Sequence, residues 1–514
     1  MESTSRSLPS ALRNVLANWG GFVCSAIISF FLSPFIVHHL GNSAYGVWVL
    51  VGSLTGYLGL LNLGVRATVT RYVARFYAES DDREASAVAS SALVIFLIAG
   101  FIAVLFSVIA ALAIMPLFHV PASYQFAGRV ALVLAGFNIA TSLVSGVFGG
   151  ILAALHRFDL MNVIEAASSL FSALTILLAL SAGNGLIALA LINLLFAIAA
   201  GVLYATAAFH IYPALAIRFS KCDSEHLKLI FSFSIYSFLL QLSFNVIFYT
   251  DSIVIGSVLS VGLVTFFAIA GNLMNYSRTL ISGISTTMTP RAGALEAMGR
   301  TDEIQMLVLK AMQLATLVVL PIALTFLLRG SSFIRLWMGP DFAEPSGRVL
   351  WVLSLALIFV AGDQVATAIM LGISAHRGVV LMMCVMALCN LGLSILLARR
   401  MGIVGVAWGT TLPSLAGSLV FWPWYLQRVL RISISDLILC AWLRPALAVV
   451  PFGILTYCIE RLRPASSLLI FFLQVAAILP TALIAAWYLC LDPPARRMYR
   501  EKLLLPVLDY VNLR

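Results

Sequence analysis

The chain has 514 residues, 61% of them hydrophobic and only 10% charged, with a net charge of +10. Soluble globular domains carry about 25% charged residues. This composition therefore excludes a soluble protein and requires a bilayer, where lipid-facing side chains must be apolar. The basic excess calls for no nucleic-acid partner, because most of it falls where anionic inner-leaflet lipid would meet it.

A membrane crossing needs roughly 20 mostly apolar residues. In chain order such stretches are predicted near residues 15–37, 44–65, 86–113, 129–152, 163–182, 186–209 and 229–256. They continue at 262–283, 304–328, 348–372, 379–398, 403–426, 441–459 and 467–490, which makes fourteen. The polar N-terminus runs into a full-length span with no cleavage-like small-residue site, so no cleavable signal is expected. Lys and Arg in short loops favour the cytoplasmic side. With the N-terminus inside, inner segments hold 20 basic residues and outer segments 8, which predicts both termini in the cytoplasm. The longest predicted outer loop is Arg329–Arg348. None of the seven cysteines falls in an outer loop, so no disulfide is expected, and Cys384 and Cys389 read as small apolar packing residues.

Sliding the chain on itself gives a repeat at an offset of about 220. Ala154-Leu155-His156-Arg157 falls on Ser374-Ala375-His376-Arg377, and Gly185 on Gly405. At one residue shorter, Thr70, Ala78 and Glu84 fall on Thr289, Ala297 and Glu303. An even number of spans per copy makes the repeats parallel, an arrangement in which the substrate path runs between halves. The expected fold is all-α: two parallel six-helix bundles plus a C-terminal helix pair. The expected organisation is an N-lobe over 1–209, a cytoplasmic linker over 210–228, a C-lobe over 229–426, and a terminal pair and tail over 427–514.

Several segments carry a family resemblance. They are Asn18-Trp19, Ser33-Pro34-Phe35, the run from Leu40 to Trp48, Gly56-Tyr57-Leu58-Gly59, Arg71-Tyr72-Val73-Ala74, Thr250–Gly256 and Gly402–Thr410. The chain resembles the polysaccharide-transport family of bacterial flippases. That family shares a superfamily with the multidrug-and-toxin exporters and the peptidoglycan-precursor flippases. The resemblance implies transport of an undecaprenyl-pyrophosphate-linked oligosaccharide across the bacterial cytoplasmic membrane, without enzymatic activity or cofactor. The partners it implies are a polyprenyl-pyrophosphate-linked glycan, membrane lipids, a coupling cation (H+ or Na+) and polysaccharide polymerase machinery.

Residue chemistry stands beside that resemblance. A pyrophosphate entering hydrocarbon must be paired, and the planar fork of Arg binds two oxygens at once. Arg278 lies about five residues short of the inner end of span eight, with Asn275 one turn away and Asn272 near the same face. Arg66 sits at an inner boundary, where it either greets an anionic headgroup or snorkels. These residues and Gln241 are the candidate substrate-binding set, helix-to-helix hydrogen bonding being the alternative for the amides. Asp363, the deepest acid, and Asp251 are candidates for ion coupling, since intramembrane ionisable groups default to function. Glu165, near the inner end of span five, has the simpler reading of a solvated carboxylate. Pro34 removes a backbone hydrogen bond from span one and is a candidate hinge. His38-His39 lacks a third ligand, so no metal site is expected. Without a Walker-type loop, ATP is not the direct driver.

Two other functions are compatible with these features. One is an ion-coupled exporter of drugs or small solutes, or a sugar porter; the porter reading is opposed by Arg71–Phe76, which lacks the Gly-x-x-x-Asp-Arg pattern expected there. The other is a polyisoprenyl-linked glycan polymerase or ligase. That would need catalytic groups in a large outer loop, and Arg329–Arg348 offers only Asp341 and Glu344 as acids.

Overall fold

The computed structural model describes residues 7–62, 65–218 and 235–499, with side chains described from residue 27 onward except at 65, 237, 495, 498 and 499. The expected linker beyond residue 218 and the basic tail beyond 499 lie outside the described residues. So do the side chains of Asn18, Trp19, Gly20 and Gly21. The described chain is helical throughout, with no strand among the described residues.

Contacts divide it into two units, 1–268 and 269–514. The first holds α1 (Ser7–Gly56), α2 (Val65–Ala78), α3 (Asp82–Ile109), α4 (Ala122–Ala154), α5 (Phe158–Ser181), α6 (Leu186–Ile211) and α7 (Ile235–Val258), with the first turns of α8 (Val261–Ala297). The second holds the rest of α8, then α9 (Thr301–Met338), α10 (Pro340–Gly372), α11 (Arg377–Ala416) and α12 (Trp422–Leu430). The terminal α13 (Arg444–Leu462) and α14 (Leu468–Leu489) and the short α15 (Pro493–Tyr499) complete it.

Local chemistry sets several boundaries. Asp81 caps α3 by accepting the Glu84 N–H at 3.0 Å, satisfying one orphan donor of the first turn. Gly339, at φ +105, makes the whole turn between α9 and α10, and Pro340 opens the next helix. In unit 1, Gly46 lets α1 approach α8 so closely that a β-carbon would overlap the Val261 carbonyl. Between membrane helices, where lipid is as apolar as Leu, such close backbone packing is what holds them together. Large side chains such as Leu178 (73% exposed) and Leu388 (70% exposed) point outward, as a lipid-facing surface requires.

The repeat survives in backbone geometry. Ser80 and Gly299 both take positive φ, and so do Gly183 and Gly402, each pair 219 residues apart. Helices α3 and α9 start 219 residues apart, as do α5 and α11. A side-chain bond repeats too. Thr70 Oγ1 donates to the Gly150 carbonyl at 3.2 Å, and Thr289 Oγ1 to the Ala368 carbonyl at 3.0 Å.

One expectation, the outer loop Arg329–Arg348, is corrected, and helix length and composition alone do not confirm the count of fourteen. Eleven helices among the described residues are long and apolar enough to cross a membrane, against fourteen predicted spans. Two of them, Ile27–Ala78 and Arg377–Leu430, are of double length and are broken by Gly41 and Gly402 at positive φ. Helix α8 is absent from the eleven, and it carries two basic residues, Arg278 and Arg291, and Pro290. It also runs to Ala297, well past the predicted end at Gly283. The predicted outer loop Arg329–Arg348 does not exist: it is the end of α9, a one-residue turn and the start of α10. Arginine signalled a span end in the sequence, but Arg329 is carried into the interior by a partner. Its Nε donates to Glu460 Oε2 of α13 at 2.6 Å, and its Nη2 to Gln474 Oε1 of α14 at 2.6 Å. Its guanidinium lies 4.4 Å from the centre of the Phe471 ring, and Ser332 donates to the second Glu460 oxygen.

Candidate functional site

The most developed polar site lies inside unit 1. It is a cavity of about 430 Å3 between α1, α2, α4, α5 and α6, within the roughly 300–1,000 Å3 range of small-molecule sites. Arg66, in the first turn of α2, lines it. Gly149 and Gly150 of α4 position this arginine. A β-carbon on Gly150 would lie 3.2 Å from the Arg66 carbonyl, and one on Gly149 would lie 3.6 Å from the guanidinium. The two glycines thus seat α2 against α4 and leave room for the guanidinium above them.

Helix α5 supplies the opposite wall with Glu165, Ser168, Ser169 and Ser172. The spacing of three, four and seven residues puts all four on one helix face. Ser29 of α1, Ser142 and Ser145 of α4, and Asn193 and Tyr204 of α6 complete the polar lining. Tyr204 lies within electrostatic reach of both Glu165 and Arg66. Yet neither charged group has an ion-pair or hydrogen-bond partner among the described residues. A cation and an anion therefore share one cavity without closing on each other.

The hydroxyls behave unusually for a membrane helix. A lone Ser or Thr there normally donates back to a carbonyl one turn earlier. Ser90, Ser243, Ser277 and Ser354 all do so, at 2.7–2.9 Å. Within the cavity Ser145 follows the rule, donating to Thr141 O at 2.7 Å. Ser142, Ser168, Ser169 and Ser172 do not, and have no partner among the described residues.

A second polar feature lies in unit 2. Val406, Thr410, Ser414 and Ser418 stand at intervals of four along α11 and the π-turn that follows it. Asn390 Nδ2 donates to Thr410 Oγ1 at 2.9 Å, Ser414 Oγ to the Thr410 carbonyl at 2.8 Å, and Ser418 Oγ to the Ser414 carbonyl at 2.9 Å. Ser418 also donates to Asp363 Oδ2 of α10. The file ends in two buried acceptors without hydrogen-bond partners, Asp363 Oδ1 and Asn390 Oδ1. The Ser418 end sits in the π-turn Gly417–Phe421, a distortion frequent at functional sites.

The remaining predicted residues fall as follows. Arg278, Asn272 and Asn275 share α8 in unit 2, with Asn275 exposed and Arg278 half-buried. Arg66 and Gln241 belong to unit 1. Gln241 Nε2 donates to Asn245 Oδ1 at 3.0 Å, and Asn245 Nδ2 to the Gly56 carbonyl at 3.3 Å, so Gln241 holds the Asn245 amide that ties α7 to α1. Asp251 is buried in α7, 3% exposed, and the neighbouring Thr250 bonds Tyr57. Pro34 lies within α1, and its carbonyl accepts from His38 Nδ1 at 2.7 Å. Lys310, near a span boundary, donates to Asp492 at 2.8 Å. The serine face of α5 and the file through Asn390 were missed in the sequence. The signal for both was helical spacing of small polar residues within an apolar span.

Comparison with known proteins places this architecture. A candidate O-antigen transporter of Shigella flexneri is 21% identical over 408 residues, covering 77% of this chain and 93% of that protein. The candidate flippase AglR of Haloferax volcanii is 23% identical over 411 residues, covering 78% and 80%. The solved structure of the lipid II flippase MurJ in an inward closed conformation superposes with a TM-score of 0.71 at 14% identity, covering 95% of this chain and 99% of that one. This likeness shows a shared fold. Residues 11–296 match the family described as polysaccharide biosynthesis protein. The chain is thus a multi-pass membrane protein that belongs to the polysaccharide biosynthesis protein family.

Proposed function

We propose that this protein is a flippase that moves a polyprenyl-pyrophosphate-linked oligosaccharide from the inner to the outer leaflet of the bacterial cytoplasmic membrane, for surface polysaccharide biosynthesis. The observation that carries this reading is Arg66, a guanidinium without a partner among the described residues, on the wall of a polar cavity within membrane-spanning helices. Family membership and the names of the two relatives support it. An arginine fork suits a pyrophosphate whose lipid tail stays in hydrocarbon.

In this reading Arg66 of unit 1 and Arg278 of unit 2 are each candidates for binding phosphate. Asn272, Asn275 and Gln241 take hydroxyls of the sugar, and the two repeats alternate access to either leaflet around the load. Asp363 and Asp251 couple the cycle to H+ or Na+, Asp363 being the stronger candidate because one carboxylate oxygen is buried without a partner. Pro34 serves as a hinge in α1, and Pro34→Ala slows transport at unchanged protein levels. Both termini are cytoplasmic, so cysteines introduced at Asn42 and Pro345 react from outside and at Ser80 and Ser374 from inside. Depletion of the protein tests the reading as a whole. The lipid-linked glycan should accumulate on the inner leaflet, and an unchanged leaflet distribution would remove the flippase assignment.

A further inference from the structure

The cavity of unit 1 has a shape and a chemistry that a pyrophosphate alone does not use. Its lining on α5 runs from Glu165 to Ile176, eleven residues, or about 16 Å along the helix axis. The charged groups, Arg66 and Glu165, lie near Tyr204. From there the wall carries Ser168, Ser169 and Ser172, and Ser142 faces from α4. These four hydroxyls make no hydrogen bond among the described residues, although Ser90 of α3, Ser145 of α4 and Ser243 of α7 bond back to their own backbone. A polar group withheld from its local partner within a membrane helix is costly, and a ligand that exchanges hydrogen bonds with it removes that cost.

We infer that this cavity is the glycan-recognition pocket of the transporter, holding the sugar next to the pyrophosphate along the serine face of α5 while Arg66 holds the adjoining phosphate. The inference rests on the flippase reading and adds where, and by which groups, the sugar is read. Hydroxyl donors and acceptors fit a sugar better than a lipid tail, which would leave all of them unsatisfied. A sugar also suits the unpaired Glu165, since a carboxylate accepts two ring hydroxyls side by side. The neutral length of the pocket beyond Glu165 and Arg66 disfavours a second anion. The ligand expected is therefore elongated, rich in hydroxyls and anionic at one end.

The test uses the full-length protein in lipid nanodiscs and two probes. One is bare undecaprenyl pyrophosphate; the other is the lipid-linked oligosaccharide pool extracted from host cells depleted of the protein. The pool should bind about tenfold more tightly than the bare carrier. Ser168→Ala with Ser172→Ala should bring the two within about twofold while leaving bare-carrier affinity unchanged. Glu165→Gln should reduce the preference in part, and Arg66→Ala should weaken both probes. Ser142→Ala, at an exposed position of α4, should lower the preference as well and is a second variant if the double substitution lowers the melting temperature. Equal affinity of the wild type for both probes, or a full preference in the double serine variant, overturns the glycan pocket and leaves the flippase reading standing. Displacement of both probes to the same extent by phosphatidylglycerol vesicles assigns the cavity to bulk lipid and also overturns it. Binding of neither probe overturns the flippase reading itself, and the pocket falls with it.

Discussion

The two repeats share a backbone and differ in where they keep their polar groups. At the offset of 219 that relates Gly183 to Gly402, Glu165, Ser168, Ser169 and Ser172 correspond to Cys384, Ala387, Leu388 and Leu391, and Asn193 to Leu412. The exchange also runs the other way. Asn390, Thr410, Ser414 and Ser418 correspond to Phe171, Leu191, Leu195 and Ala199. The first repeat thus opens a polar wall onto a cavity, whereas the second encloses a polar file that is bonded almost throughout. Under the proposed function this difference would divide two tasks: hydroxyls without partners among the described residues suit a ligand that comes and goes, and a closed file ending in a buried carboxylate suits a small ion or proton.

A third difference is expected to have the largest effect on stability. Arg329 has Ala110 as its counterpart, and only the second repeat docks a terminal helix pair there. Arg329→Ala should destabilise the protein by about 3–5 kcal/mol, because Glu460 then loses its buried counter-charge. Replacing both partners, Arg329→Met with Glu460→Leu, should recover most of that in melting experiments. A double variant no better than the single would mean that the ion pair does not hold the terminal helices.

Making the first repeat resemble the second is the sharper functional test. Ser168→Leu with Ser172→Leu fills the cavity with the side chains found near the equivalent positions. Glycan export should fall by about 10- to 100-fold, the worth of one or two lost polar contacts to a charged or polar ligand, at normal protein levels. Normal export would show that the cavity is not on the substrate path.

In the second repeat, Asp363→Asn keeps the size of the side chain and an acceptor for Ser418 while abolishing ionisation. Export should lose its dependence on the ion gradient and slow by about tenfold, as for loss of a functional intramembrane charge. Retained gradient dependence would move coupling elsewhere, with Asp251 the next residue to test.

The smallest effect belongs to Asp492, which follows α14. Hydrogen bonding from Lys310 holds its carboxyl below the usual carboxylate range. The stabilisation is therefore present above the ordinary value of about 3.9 and is lost as pH falls through the lowered one. The pair is half-exposed, so Asp492→Asn should cost less than about 0.5 kcal/mol at neutral pH. A larger change in melting temperature would mean that this contact anchors the terminal pair alongside Arg329.

The helical membrane fold and the duplication were legible because each is written in a long signal: apolar stretches of span length, and weak matches that agree on one offset. Arg66 was legible as a cation at a boundary. Its cavity was not, because Ser168, Ser169 and Ser172 in an apolar helix ordinarily bond to their own backbone, and only coordinates reveal that they do not. Arg329 was misread for a related reason. Hydropathy counts a charge without knowing its partner, and Glu460 lies 131 residues further on. Gln241 shows the converse, an amide chosen for a ligand whose donor is taken by Asn245 one turn further along the same helix.

That distance between Arg329 and Glu460 has a consequence for how the chain is made. While the ribosome works through the 131 positions from Arg329 to Glu460, α9 must enter the bilayer with a cation that has no counter-charge, or wait at its edge. The helices that carry Glu460 and Gln474 are then the step that secures α9, and they are made after it. A chain stopped after Leu430 should leave α9 poorly inserted and be cleared by membrane proteases, whereas the same truncation carrying Arg329→Leu should persist. A late-synthesised acid would in this way make the fate of α9 depend on helices built after it.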